Sequence, residues 1–140
     1  MFRKQASKPQ SRIDSLIGVG TKIEGNVTFS GGVRVDGEII GNVTASIDQS
    51  STLVLSEHAR IDGEIRVSHL VVNGVVNGPV YATEFLELQS HSRVKGDVHY
   101  NSLEMHLGAV VEGRLVHRSS EAKGVELKLA SSKSASGNYT

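Results

Sequence analysis

Apolar and polar residues alternate along the middle of the chain, and the alternation recurs around a regularly spaced glycine. Six segments share one template, in which an Ile, Val or Leu stands two residues before and two residues after the glycine. The template glycines are Gly25, Gly41, Gly63, Gly78, Gly96 and Gly113, at steps of 16, 22, 15, 18 and 17 residues. The long step contains the polar stretch SIDQSS, residues 46–51. Because side chains of a strand alternate between its two faces, each segment predicts two short strands joined at a glycine corner.

Each repeat also carries an earlier pair of apolar residues two apart. The pairs are Val33/Val35, Leu53/Leu55, Leu70/Val72, Leu86/Leu88 and Leu103/Met105, and the first repeat begins less regularly with Leu16 and Ile17. Three short alternating stretches in so short a period leave no room for a βαβ unit or a propeller blade, and there is no helical pattern for a leucine-rich repeat. The sequence therefore predicts an all-β fold, a parallel β-helix of about six three-stranded coils. The hand preference of parallel crossovers favours a right-handed one.

The stretch VVNGVVNGPVYA, residues 71–82, shows the pattern at its densest. Valine favours extended backbone, so its valines are interpreted as strand walls. Glycine lacks a Cβ and adopts angles that valine cannot, so Gly74 and Gly78 are interpreted as corners.

Composition and charge narrow the classes of function. Trp and Cys are absent and aromatic residues make up 4% of the chain, so the core is expected to be thin and without disulfides. Fifteen basic and fifteen acidic residues balance to zero net charge, which argues against nucleic acid as a partner. No apolar run is long enough to span a membrane and no secretory signal is evident, so we expect a cytoplasmic protein.

The two ends of the chain differ from the repeats. Residues 1–12 form a basic leader that contains Arg3, Lys4, Lys8 and Arg12 but no acidic residue, and we expect it to be flexible. Residues 118–140 are rich in Ser, Lys and Ala, a composition expected to be mostly disordered. Val125, Leu127 and Leu129 alternate with other residues there, so a short strand within residues 124–130 stays open. The β-helix is assigned to residues 13–117.

The repeat series resembles the bactofilins, a family of bacterial cytoskeletal proteins. The resemblance rests on LIGVGTKIEGNV at the start, VRVDGEIIGNV next and LVVNGVVNGPV in the middle. It implies a right-handed β-helix that polymerises end to end without nucleotide into filaments under the inner membrane, where they scaffold cell-wall enzymes and influence cell shape. The start of the chain resembles the family's membrane-targeting leader, which implies that role for Met1, Phe2, Arg3 and Lys4. One departure is LVLSEHARIDG, where the family usually has glycine in place of Ser56 and His58, which puts the tightness of that corner in doubt.

The ends of a β-helix expose unpaired backbone groups and the apolar column, and monomeric solenoids usually cover them with a helix or a polar repeat. No such cap is evident in the sequence, which favours a homopolymer. Residues predicted to form the polymerisation surface are Val19, Ile23, Val27 and Phe29 in the first coil and Leu103, Met105, Val111 and Leu115 in the last coil. The alternative is that the leader or residues 118–130 fold over one end and stop growth.

Enzyme functions fit the pattern less well. A hexapeptide-repeat acyltransferase would have apolar positions every six residues, whereas here they fall at offsets of two and four. The acidic residues and the six histidines are interpreted as surface positions, with His58 and His91 in one column but two coils apart, at least about 9.5 Å. A polysaccharide-cleaving β-helix would need more coils and longer loops. We therefore expect no catalytic residue, cofactor or metal site.

A second non-enzymatic hypothesis is a monomeric scaffold that binds a partner along one face. The outward middle positions of the paired strands are Arg34, Val54, Val71, Glu87 and Glu104, and they place two valines side by side. Cell-wall remodelling enzymes and membrane proteins are the partners that the resemblance implies.

Overall fold

The computed structural model describes residues 12–119, and every regular element in them is a β-strand. The strands form three faces. Face 1 contains β1 (Ser15–Ile17), β4 (Gly32–Val35), β7 (Thr52–Leu55) and the second halves of β9 (Ile65–Val72), β11 (Val80–Leu88) and β13 (Val98–Met105). Face 2 contains β2 (Lys22–Glu24), β5 (Glu38–Ile40), β8 (Arg60–Asp62), β10 (Val75–Asn77), β12 (Arg93–Lys95) and β14 (Val110–Glu112). Face 3 contains β3 (Val27–Phe29), β6 (Val43–Ala45), the first halves of β9, β11 and β13, and β15 (Leu115–His117).

All strand pairs are parallel, and each strand pairs with the strand one coil away. Coil 1 consists of β1–β3 and coil 2 of β4–β6. Coils 3 to 5 share the long strands, and coil 6 consists of the end of β13 with β14 and β15. The prediction of a parallel β-helix with about six three-stranded coils is confirmed.

The core is a set of apolar columns that run through the coils. On face 1, Val33, Leu53, Leu70 and Leu86 are in register with one another and are all 5% exposed or less. On face 2, the column of β-branched residues two before each template glycine is likewise continuous. These are the inward columns that the alternation predicts.

The template glycines lie at the corner between faces 2 and 3. All six have positive φ, between 137° and 156°. At Gly96, a Cβ would lie 2.6 Å from the carbonyl oxygen of Gly78 in the coil before it, so this corner requires both the angle and the small side chain of glycine.

The residue after the template glycine links successive coils. The Oδ1 atom of Asn26 accepts a hydrogen bond from the backbone N–H of Asn42 at 2.9 Å, and Asn42 Oδ1 accepts one from Glu64 N–H at 3.0 Å. Pro79 takes this place in coil 4 and has no N–H to donate. Asp97 resumes the pattern by accepting from Arg114 N–H at 3.0 Å. These side chains bind the backbone of the next coil as well as facing water.

The corner between faces 1 and 2 has two forms. In coils 2 and 4 it is a two-residue turn, Asp36-Gly37 and Asn73-Gly74. In the other coils it has four residues and is closed by a backbone hydrogen bond, such as Ala59 N–H to Ser56 O at 3.0 Å. The corner at residues 56–59 contains the departure from the family sequence. Its hydrogen bond matches the one in coil 1, where Thr21 N–H donates to Gly18 O at 3.1 Å.

Coil 1 differs from the expectation at its first strand. Ser15 and Ile17 lie in register with Val33 and Val35, while Leu16 lies beside the outward Arg34 and is 62% exposed. Only one of two adjacent residues in a strand can face inward, and here it is Ile17. Residues 46–51 connect β6 to β7, as the long repeat step predicted.

Three predictions lie outside the described residues: the flexible leader with its membrane-targeting segment, the disordered C-terminal tail, and the strand within residues 124–130. Among residues 12–119 there is no helix long and apolar enough to cross a membrane.

Candidate assembly surfaces at the two ends

The two ends of the stack expose residues from columns that are buried elsewhere. Leu115 in coil 6 is 44% exposed, whereas Val98, its neighbour in register in coil 5, is 0% exposed. Met105 is 44% exposed, whereas Leu88 beneath it is 1% exposed. The side-chain direction is the same within each pair, so the difference arises because no further coil covers coil 6 in the described chain.

The C-terminal end surface is formed by Leu103, Met105, Val111 and Leu115. Leu103 and Val111 are partly buried and pack against the core, together with Tyr100 and Ala109. All four residues that the sequence assigns to this end therefore lie on the last coil, with one side toward the core and the other side open.

The N-terminal end surface is formed by Ile17, Ile23, Val27 and Phe29. All four are partly buried and pack against the core. Sequence reasoning placed Val19 in this set and missed Ile17. Val19 lies instead in the turn between β1 and β2 and is 71% exposed, so it projects from the corner and does not belong to the inward column.

Unpaired backbone groups at the two ends can also bind another chain. Gly96 N–H donates to Glu112 O at 2.9 Å, and this hydrogen bond belongs to the ladder that joins coil 5 to coil 6. Gly113 is the equivalent residue of coil 6, and within residues 12–119 no further coil accepts its N–H. On face 2, β2 pairs only with β5 and β14 only with β12 among the described strands. Unpaired edges of this kind are templates for another chain.

The outer surfaces carry ordered ion pairs. The Ser56 side chain and the Arg34 guanidinium each form a hydrogen bond to Asp36 and lower the pKa of that carboxyl, with partial burial opposing them. Hydrogen bonds from Arg114 lower the pKa of Asp97.

One aromatic stack lies on face 3. Tyr81 and His99 are stacked with ring centroids 4.4 Å apart, and the Arg66 guanidinium lies 4.0 Å from the centre of the Tyr81 ring on the neighbouring coil. His99 Nδ1 accepts a hydrogen bond from Arg118 Nε at 3.0 Å. Burial and the positive charge of Arg118 lower the pKa of His99, so its imidazole is neutral at neutral pH.

The structure brings together side chains that the sequence left apart. His58 and His91 both approach Glu57, at 3.9 and 3.6 Å, because the two-residue corner of coil 4 leaves space between the longer corners of coils 3 and 5. Val54 and Val71 are adjacent in register on face 1, as the scaffold hypothesis predicts, and both are partly buried.

A third group was not predicted as a unit. Glu87, Glu104 and His106 converge beside the last coil, and their ligand atoms lie within 4.8 Å of one another. Sequence reasoning named the two glutamates as outward neighbours but assigned His106 to the general surface.

Two comparisons with known proteins, one with a family profile and one with individual sequences, point to the same family. Residues 15–116 match the profile of the family described as "Bactofilin: Polymer-forming cytoskeletal". The chain is 28% identical over 112 residues to a protein named Bactofilin BacP from Myxococcus xanthus strain DK1622, and the match covers 80% of this chain and 45% of that protein. The matched region thus spans less than half the length of this relative. No solved structure matches significantly.

The family match covers all six coils, including both end surfaces. The chain belongs to the bactofilin family of polymer-forming cytoskeletal proteins.

Proposed function

We propose that this protein assembles end to end, without bound nucleotide, into filaments that attach to the inner face of the cytoplasmic membrane and scaffold factors that remodel the cell wall. The observation that carries the assembly step is the exposure of core columns at the end coils, as in the pair Leu115 and Val98. The family description, polymer-forming cytoskeletal, supports the same step.

Burial of an end surface would favour association. Docking one end on another would bury a few hundred Å² of apolar surface, which is worth several kcal/mol at about 25 cal/mol per Å² before association costs. A set of backbone hydrogen bonds along the edge strands would be gained as well. This chemistry needs no nucleotide, and the template segment GVGTKIEG lacks the Lys-Ser/Thr ending of a phosphate-binding loop.

The end surfaces also suit specific docking because charged residues flank the apolar columns. Lys22 and Glu24 lie on either side of Ile23 and pair with each other at 3.5 Å. The N-terminal end surface therefore carries charges of both signs and would not repel another copy through a single net sign.

Membrane attachment rests on the leader. Burial of Met1 and Phe2 in lipid would contribute roughly 2 to 4 kcal/mol, and each nearby basic residue up to about 1 kcal/mol at an anionic surface. One leader binds weakly, whereas a filament presents many and gains avidity, so assembly and attachment reinforce each other. The basic character of the leader supports attachment at the cytoplasmic side of the inner membrane.

The second candidate function is a monomeric scaffold, favoured by the adjacent Val54 and Val71 on face 1. In that case a partner would cover this strip while the ends stayed free. The self-association state separates the two candidates.

The experiment is sedimentation of the purified full-length protein and of Leu115→Arg. Wild type should pellet as polymer and Leu115→Arg should stay in the supernatant, because a guanidinium on the end surface would lose hydration without a partner. Ile47→Arg is the matched control, since Ile47 is 96% exposed but lies in the loop between β6 and β7. If Leu115→Arg pellets as wild type does, the end surface is not the assembly contact.

A further inference from the structure

The strongest unassigned chemistry lies on face 1 at the junction of coils 5 and 6. Glu87 on β11 and Glu104 on β13 are direct neighbours in register. His106 is the first residue of the corner that follows β13, and its imidazole lies beside both carboxylates. Strand pairing therefore places the two glutamates on one surface, and the corner brings the histidine to them.

The geometry points to a binding site for a divalent first-row transition metal ion, of the zinc class, held by Glu87, Glu104 and His106. His106 Nε2 lies 3.0 Å from Glu87 Oε2 and 3.1 Å from Glu104 Oε2. Ligand atoms at 2.0–2.1 Å from a tetrahedral zinc ion are about 3.3 Å apart. A small rotation of the side chains would make room for the ion among these three atoms.

The charges around Glu87 and Glu104 give a second reason to expect a bound cation. Several acidic side chains elsewhere on the described surface pair with arginine, as in Arg34–Asp36 at 3.1 Å and Arg114–Asp97 at 2.9 Å, whereas Glu57 and Glu84 pair with histidine. Glu87 and Glu104 meet no arginine or lysine among residues 12–119. Two carboxylates directly opposite each other in a sheet repel, and within residues 12–119 the imidazole of His106 is the only ionisable group that bridges this pair. A divalent ion bound by all three side chains would offset the repulsion and would tie coil 5 to coil 6.

The donor set selects the class of metal. Imidazole nitrogen favours zinc, copper, nickel and iron, whereas calcium and magnesium prefer oxygen ligands alone. The Gln89 side chain donates to Glu87 Oε2 at 3.1 Å and orients that carboxylate, as outer residues do at metal sites. Three protein ligands leave a fourth position for water.

The test uses the full-length, tag-free protein and competition for Zn²⁺ against a chromophoric chelator. Wild type should bind one Zn²⁺ per chain, saturably, with no measurable competition from Mg²⁺. His106→Gln should weaken the affinity at least tenfold, and Glu104→Gln should do the same. His91→Gln is the matched control, because His91 is exposed and approaches the single carboxylate of Glu57 at 3.6 Å. It should bind as wild type does.

Two further measurements test the site independently of the competition assay. Co²⁺ bound to wild type should give the intense visible absorption of a tetrahedral site, and the spectrum should be lost in His106→Gln. Zn²⁺ should raise the thermal unfolding midpoint of wild type but not that of Glu104→Gln. Glu104→Gln also serves as the test variant if His106→Gln folds poorly. Absence of saturable Zn²⁺ binding to wild type, or equal weakening by His91→Gln and His106→Gln, would overturn the inference. Neither result depends on whether the protein forms filaments.

Discussion

Asp97 of coil 5 holds Arg114 of coil 6 by two hydrogen bonds. One carboxylate oxygen accepts from the backbone N–H of Arg114 at 3.0 Å, and the other accepts from its guanidinium at 2.9 Å. Both contacts favour the ionised carboxylate, so the pKa of Asp97 lies below its ordinary value of 3.8. The last coil is therefore attached to the stack by a charge as well as by its backbone ladder.

This contact predicts a dependence of stability on pH. Because the pKa of Asp97 is lower in the folded than in the unfolded chain, its contribution is present above the ordinary value of 3.8 and is lost as pH falls through the folded pKa. Asp97→Asn should lower the urea midpoint of unfolding near neutral pH, and the difference from wild type should shrink below pH 3.8. Asp48→Asn, in the exposed loop after β6, is the control and should match wild type throughout. A constant difference at all pH values would contradict the proposed role of the charge.

The glycine corners give a second prediction. Gly96→Ala should destabilise the fold by at least about 3 kcal/mol, because it combines backbone strain at φ 145° with a methyl group 2.6 Å from Gly78 O. Gly25→Ala has comparable strain, at φ 137°, but no atom within 4 Å of the added methyl, and should cost only about 1 to 3 kcal/mol. Denaturant unfolding of the two variants measures the difference.

Gly25→Ala also probes the N-terminal end surface. At the later corners a Cβ would point toward the preceding coil, so at Gly25 it would point out of the stack. If another copy docks there, the methyl should reduce sedimentable polymer more than the loss of stability alone accounts for. Polymer yield equal to that of wild type under conditions where Gly25→Ala is fully folded would argue against docking at this corner.

The inward columns predict unequal effects within one strand. Leu53 is 0% exposed, and Leu53→Ala should cost about 2 to 5 kcal/mol in free energy of unfolding. Val54 is next to it but faces outward, so Val54→Ala should cost less than about 1 kcal/mol. Equal losses, measured by denaturant unfolding, would mean that the strand does not alternate as described.

The proposed role of the leader predicts that a variant can lose membrane attachment and still form filaments. Phe2→Glu should form filaments as wild type does but should no longer co-sediment with vesicles containing anionic lipid, because a charged side chain at this position opposes insertion. Phe2→Trp should retain binding, since indole suits the lipid interface. A fluorescent Phe2→Glu fusion that stays at the cell envelope would refute the role of the leader.

The sequence predicted the inward columns well because they obey a period of two around a fixed glycine. This rule alone predicts that Ile39 and Val76 face inward, and both are fully buried. The same rule could not choose between Leu16 and Ile17, since both are apolar and adjacent and the first repeat lacks the spacing of two. Only pairing with β4 decides that Ile17 faces inward.

Contacts between outward residues were largely beyond the sequence because they depend on register between coils. Asn26 and Asn42 look like ordinary solvent-facing residues until the coils are aligned, when each accepts a backbone hydrogen bond from the next coil. His106 likewise reaches Glu87 only because the corner of coil 6 begins beside the end of β11. The constant offset of Asn26 and Asn42 from the template glycine was the signal that could have revealed the ladder.

Electron microscopy of the purified, tag-free, full-length protein in nucleotide-free buffer tests the central claim most directly. We predict long filaments whose abundance rises with protein concentration and does not change when ATP or GTP is added. Single compact particles at every concentration, sedimenting as monomers, would contradict end-to-end assembly even with the β-helix intact.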